Sequence, residues 1–172
     1  MISFRHLRAP TLLLVLSVAA LVSVAACSSD DGGDGGKSCT LIGCVGGFEI
    51  GLDKGSAWEA GDYTFELDVD GTKNSCTVTL PFANCEVAPK CTTELKTLQI
   101  GLSGCMLDKA QHKVSALTFI DAFPAQLSVT VKLGVTEIGG ASYTPTYTES
   151  RPNGPGCEPL CKQAPAVKLT LK

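Results

Sequence analysis

The sequence predicts an all-β domain, and three observations carry that expectation. Apolar and polar residues alternate strictly in several segments, the period of a strand with one buried and one wet face. Turn residues recur between those segments at intervals of about ten residues. Helical patterning is confined to one short stretch, residues 106–116. Together they point to an antiparallel sandwich of about seven to eight short strands.

The elements follow in chain order. Residues 47–52 make an irregular first strand. In residues 63–70, Tyr63, Phe65, Leu67 and Val69 alternate with Thr64, Glu66, Asp68 and Asp70, the clearest strand in the chain. Asp70, Gly71 and Asn74 supply turn chemistry, and Cys76, Val78 and Leu80 then alternate with Thr77 and Thr79 until Pro81, so the two segments form a hairpin. Less regular strands are expected at residues 95–102 and 114–121. Within 106–116, Lys109 to Lys113 make at most a turn or two of helix. Residues 127–135 repeat the clean alternation, with Leu127, Val129, Val131, Leu133 and Val135 on one face. Residues 143–148 are rich in β formers, but Pro145 confines them to an edge strand or loop. Val167, Leu169 and Leu171 alternate with Lys168, Thr170 and Lys172 at the end.

Ahead of the domain, Arg5 and Arg8 precede sixteen uncharged residues, 11–26. A membrane span needs about 20 apolar residues, and charge, apolar run and small-residue end match a signal peptide. The run closes on Val24, Ala25, Ala26 and Cys27, which resembles the lipobox of bacterial lipoproteins. The resemblance implies cleavage before Cys27, a diacylglyceryl group on its thiol, and placement in the outer membrane, since Ser28 replaces the aspartate that often signals inner-membrane retention. Stable anchoring takes two or more acyl chains, because one alone binds only marginally. Residues 28–38 are Gly, Asp and Ser with one Lys, a flexible tether reaching about 18 Å. Its three aspartates repel anionic headgroups, so the domain is expected to stand off the bilayer. The layout is signal peptide 1–26, lipidated cysteine and tether 27–38, and one β domain 39–172.

Charge and cysteine content narrow the function. Losing residues 1–26 removes two of fourteen basic residues and none of seventeen acidic ones, leaving a formal charge of −5. That argues against a nucleic-acid partner. Eight cysteines follow the tether: Cys39, Cys44, Cys76, Cys85, Cys91, Cys105, Cys157 and Cys161. An even number in an exported chain reads as four disulfides, with 105 possible connectivities. Zinc is not expected, because His112 is the one histidine left after residue 26 and no knuckle spacing is present. No cofactor is implied.

Catalytic chemistry is also not expected. A hydrolase needs a nucleophile, a base and an orienting group; His112 sits among Lys109, Gln111 and Lys113 and reads as a solvated loop residue whose removal leaves the fold intact. Glu66, Asp68 and Asp70 share the polar face of one strand, about 7 Å apart and pointing outward. Residues 68–74 have a faint calcium-loop pattern, but the glutamate of a true loop is missing and Lys73 opposes a cation. The candidate binding surface is therefore Trp58, Tyr143, Tyr147 and Asn153. The tyrosines offer ring faces at loops or edges, while Trp58 either does the same or plugs one end of the sandwich. Asn153 lies in the rigid 152–156 turn beside Cys157 and Cys161, the best candidate for a presented loop.

Trp58, Glu59, Ala60, Gly61, Asp62, Tyr63, Thr64 and Phe65, followed by Asp70 and Gly71, are similar to the opening of immunoglobulin-like and fibronectin-like extracellular modules. With the Pro- and Cys-rich residues 152–161, the layout resembles cysteine-rich lipoproteins of gliding, predatory δ-type (myxobacteria-like) bacteria. Taken with the absence of catalytic residues, the expected role is a non-enzymatic envelope binding or structural module contacting protein or glycan, or alternatively a small inhibitor or carbohydrate-binding domain. The chain lacks the tryptophan that antibody-type domains place between their two core cysteines.

The anchor gives the first prediction. The Cys27→Ser protein should lose metabolic labelling by palmitate and leave the detergent phase on phase partitioning; labelling equal to the parent would refute the lipobox assignment.

Overall fold

Alternation becomes a strand where one face finds another sheet to cover it, and the described residues form eleven strands, of which the two short edge strands at Lys90–Cys91 and Thr148–Ser150 stay exposed. A computed structural model describes residues 38–93 and 96–172; the signal segment, Cys27 and the tether lie outside the described residues. The strands are β1 (Gly47–Asp53), β2 (Gly61–Val69), β3 (Thr72–Leu80), β4 (Lys90–Cys91), β5 (Leu98–Ser103), β6 (Lys113–Ile120), β7 (Leu127–Leu133), β8 (Thr136–Tyr143), β9 (Thr148–Ser150), β10 (Cys161–Gln163) and β11 (Val167–Thr170). One sheet runs β5-β6-β1-β10-β9, with β11 also paired to β1, and the other runs β4-β3-β2-β7-β8. The fold is an all-β sandwich, as expected, with more strands because four of them are only two to four residues long.

The core lies between the sheets. Tyr63, Phe65 and Leu67 from β2, Val78 and Leu80 from β3, and Val129 and Val131 from β7 meet Phe48, Ile50, Leu117, Phe119 and Leu169 from the facing sheet, all buried. Truncating one of these aromatics, such as Phe65→Ala, would cost about 3–5 kcal/mol. The opposite side chains of β2 stay wet, where Lys132 meets Glu66 at 2.6 Å.

Three features depart from the sequence reading. β1 runs antiparallel to β6 but parallel to β10 and β11, so the first and last strands of the domain lie side by side in one sheet. Second, β2 and β3 form a hairpin within one sheet, whereas immunoglobulin order puts its second and third strands in opposite sheets. Third, the alternating run stops at Leu133. Gly134 takes φ 58° and its N–H donates to Asp62 O at 2.9 Å, making a two-residue hairpin turn that leaves Val135 98 % exposed.

β8 follows that turn although Gly139 and Gly140 lower its strand propensity. At Gly139 the C-terminal segment crosses closely, and a Cβ there would meet Leu171 Cδ2 at 2.7 Å. Pro145 falls between β8 and β9, as an edge or loop position requires. The helical stretch reduces to one 3₁₀ turn, Lys109–Gln111.

All eight cysteines are paired. Cys39–Cys157 and Cys44–Cys161 bind the segment before β1 to the segment before and into β10. Cys76–Cys91 joins directly opposed residues of β3 and β4. Cys85–Cys105 closes the connection between the hairpin β2-β3 and β6. Peptide mapping without reduction should recover these four cross-linked pairs and no free thiol. A Cys39–Cys44 or Cys157–Cys161 pair would contradict the fold.

Candidate functional site

β1 is seven residues long and gives the sandwich two ends, roughly 20 Å apart along the strand. At its N-terminal end lie the two disulfides to residues 157 and 161. At its C-terminal end opens a cleft of about 660 Å³ between residues 52–58 and 103–113.

The first wall is the β1–β2 connection. Lys54 has a side chain only 5 % exposed, and its ammonium gathers Ser56 Oγ at 3.3 Å, Ala57 O at 3.4 Å and Glu59 Oε1 at 3.4 Å. Asp53 Oδ1 accepts from Gly55 N–H at 3.0 Å. These bonds fold the loop over one buried cation and set Trp58 against the core. The indole packs on Tyr63 with ring centroids 4.8 Å apart and stays half-buried. Trp58 is therefore both an end plug and a cleft wall. Beneath it the Tyr63 hydroxyl, its pKa raised by burial, donates to Glu59 O at 3.1 Å.

The second wall runs from Gly104 to Lys113. Short turns hold it, with Leu107 N–H donating to Gly104 O and Gln111 N–H to Asp108 O. The residue that fixes it is His112, which the sequence reading placed in solvent. It is 5 % exposed. Its Nδ1 accepts from Phe82 N–H at 3.0 Å and its ring stacks on Phe82 with centroids 4.9 Å apart. With Nδ1 accepting, the proton sits on Nε2, which faces Leu107 O at 3.4 Å. Polar neighbours in sequence hid this, because Lys109 and Lys113 flank a residue that turns inward just before β6. The floor and rim offer Ser103, Gln111 and Lys113 as hydrogen-bonding groups, while Met106 and Leu107 stand 87 % and 58 % exposed beside them.

The other candidate residues do not join Trp58. Tyr143 and Tyr147 lie towards the N-terminal end of β1. Tyr143 packs edge-on against Phe48, centroids 5.9 Å apart, beside a depression of about 260 Å³, and its buried hydroxyl makes no hydrogen bond among the described residues. Tyr147 donates to Pro124 O at 3.1 Å and meets Phe123 edge-on at 5.4 Å.

Asn153 is a correction. It is 6 % exposed and turned inward, where its Oδ1 accepts from Thr40 Oγ1 and Ile42 N–H at 2.6 and 2.7 Å. Its amide donates to Ile42 O and Glu158 O at 3.0 and 2.6 Å. The 152–156 turn therefore holds the N-terminal segment instead of presenting its asparagine. Arg151 braces the same turn by donating to Cys157 O and Glu158 Oε1, and this second bond holds the Glu158 carboxyl below its ordinary pKa.

A second depression, about 510 Å³, lies on the wet face of β2, β3 and β7 and is lined by Glu66, Asp68, Lys73, Asn74 and Thr130. It has no aromatic wall. Asp70, named with Asp68 as a calcium candidate, is committed elsewhere: at φ 49° its Oδ1 accepts from Gln126 N–H at 2.8 Å.

His112 generates a prediction opposite to the one its sequence context suggests. His112→Ala leaves the buried Phe82 N–H without an acceptor and removes the stacked ring, so stability should fall by about 2–3 kcal/mol. His112→Asn, whose carbonyl can accept, should recover part of that loss. Equal urea midpoints for parent and His112→Ala would show that the histidine is not holding the wall.

Compared with known protein families, with curated proteins and with solved structures, this chain matches none.

Proposed function

We propose that the protein is an envelope lipoprotein, anchored through acylated Cys27, whose sandwich is a non-enzymatic binding module. It engages a glycan of the envelope with the cleft at the C-terminal end of β1. The observation that carries this reading is the position of Trp58. A partly buried indole, braced from behind by Tyr63, lines a cleft at the end of β1 remote from the segment that leads back to the tether. An anchored receptor needs its binding end turned away from its anchor.

The chemistry of the cleft suits a sugar. An aromatic face covers the apolar face of a pyranose ring, and a few fixed polar groups orient its hydroxyls. Ser56, Ser103, Gln111 and Lys113 surround the indole with such groups. Recognition needs no movement of the walls, since Lys54 and His112 already fix both of them. A protein partner is the second reading, favoured by the exposed Met106 and Leu107 at the rim.

Trp58→Ala should reduce binding to envelope glycan fragments by roughly thirtyfold, the loss of a contact worth about 2 kcal/mol. Isothermal titration reads the affinity, while the intact disulfide map confirms that the variant is folded. Undiminished glycan affinity in a folded Trp58→Ala protein would refute the cleft as the site. Retained glycan affinity with loss of a pulled-down protein would favour the second reading.

A further inference from the structure

The end of the sandwich nearest the tether carries an apolar surface that the cleft reading does not use. Leu41 is 101 % exposed, Val45 66 %, Ile42 54 % and Leu160 41 %. They share one end of the domain, because Asn153 pins Ile42 and the Cys44–Cys161 disulfide joins the segment that carries Val45 to the one that carries Leu160. Gly46 continues the patch: a Cβ there would touch Phe123 Cε1 at 3.3 Å, and Phe123 is itself 40 % exposed. Lys162 extends its ammonium over the rings of Phe123 and Tyr147, 5.2 and 5.7 Å from their centroids.

Folded domains rarely leave several large aliphatic side chains in water on one short segment without a use. Two disulfides and the Asn153 clamp hold this segment in place, so its exposure is not that of a loose chain end. We propose that this surface docks on the bilayer that carries the acylated Cys27, laying Leu41, Ile42, Val45, Leu160 and Phe123 into the headgroup boundary.

Chain length selects the occupant. Leu41 lies fourteen residues after Cys27, and a Gly-rich linker of that length has an r.m.s. reach of about 20 Å. The patch is thus held close to the membrane at a high effective concentration, and even a weak apolar affinity is expressed. The residue types agree, since aromatic rings with a neighbouring lysine are common at bilayer interfaces, where the ring is buried and the ammonium stays wet. Docking by this end turns the Trp58 cleft outward and replaces the expectation that the aspartates hold the domain away from the surface. The inference rests on the lipoprotein reading for the identity of the membrane, but the patch can be tested without the lipid.

Two measurements decide it. The unlipidated Cys27→Ser protein is floated with vesicles of phosphatidylethanolamine and phosphatidylglycerol, alone and with Leu41→Ser, Ile42→Ser and Val45→Ser combined. The three side chains are more than half exposed, so the combined variant keeps the fold, checked by its disulfide map. It should bind vesicles at least tenfold more weakly. Equal flotation would overturn the proposal, and so would self-association of the parent in vesicle-free buffer that the triple change abolishes, since a second copy would then be the occupant. In the lipidated protein, Ile42→Trp in a Trp58→Phe background should be quenched by brominated lipids, whereas the native Trp58 should not. No quenching at either position would mean that the domain stands off. Palmitate labelling of the same preparation reports the anchor separately, so failure of docking is not confused with failure of acylation.

Discussion

The fold depends on the seam at β1. This seven-residue strand pairs antiparallel with β6 on one side and parallel with β10 and β11 on the other, so the first and last strands of the domain are neighbours. Bringing them together costs loop-closure entropy that no local turn repays. Disulfides across this seam span 118 and 117 residues, and in the chain-entropy model one such link is worth about 5 kcal/mol. The second adds less, because once residues 39 and 157 are joined only a small ring remains to close. Its effect is local: with the Asn153 hydrogen bonds it fixes the path of residues 39–46 against 153–161.

A fixed seam gives the domain a direction. The segment that leads back to the tether is stapled at one end of β1, and the cleft opens at the other. The two ends differ in chemistry as well as position. At the cleft, the Lys54 side chain and His112 are buried and set two walls around an aromatic, the arrangement that the proposed glycan site requires. At the stapled end Asn153 and the main chain of residues 40–42 and 158 are tied to one another, and Leu41, Ile42, Val45, Leu160 and Phe123 stand outward beside the exposed Arg151–Glu158 pair and Lys162. A preorganised cleft suits selective recognition, and an apolar rim without shape suits a fluid surface.

The sheet cores were legible in the sequence because their signal is local. Tyr63, Phe65 and Leu67 alternate with polar residues whether or not their partners are known, and the same holds for Val129 and Val131. β8 was not legible, because Gly139 and Gly140 are there for the close crossing of Leu171 and the backbone of β7, contacts made by residues distant in sequence. β4 and β10 are too short for any period to register. The even cysteine count indicated that all would pair but could not say how, since the pairing follows from strand order. At the candidate site Trp58 was recognisable as an aromatic beside a turn. His112 and Asn153 were not, because polar residues are read as exposed unless their hydrogen-bond partners can be seen, and those partners are 30 and more than 100 residues away.

The staples mark where the hydrophobic effect alone would leave the chain unspecified. Between β3 and β5 the chain runs from Pro81 to Thr97 with, among the described residues, only the two-residue β4 for regular structure, a length at which irregular connections are uncommon unless they serve a function or are otherwise held. Cys76–Cys91 pins that stretch to the hairpin near its midpoint, and Cys85–Cys105 pins it to the far wall of the cleft. His112 then ties Phe82, at the start of the stretch, to the same wall. The other two disulfides stabilise the seam, which an extended sheet could partly hold by its own hydrogen bonds. These two hold the long connection between β3 and β5, which Cys105 and His112 tie to the wall of the Trp58 cleft. Half of the cross-links therefore serve the stability of the sandwich, and half serve the shape of one of its ends.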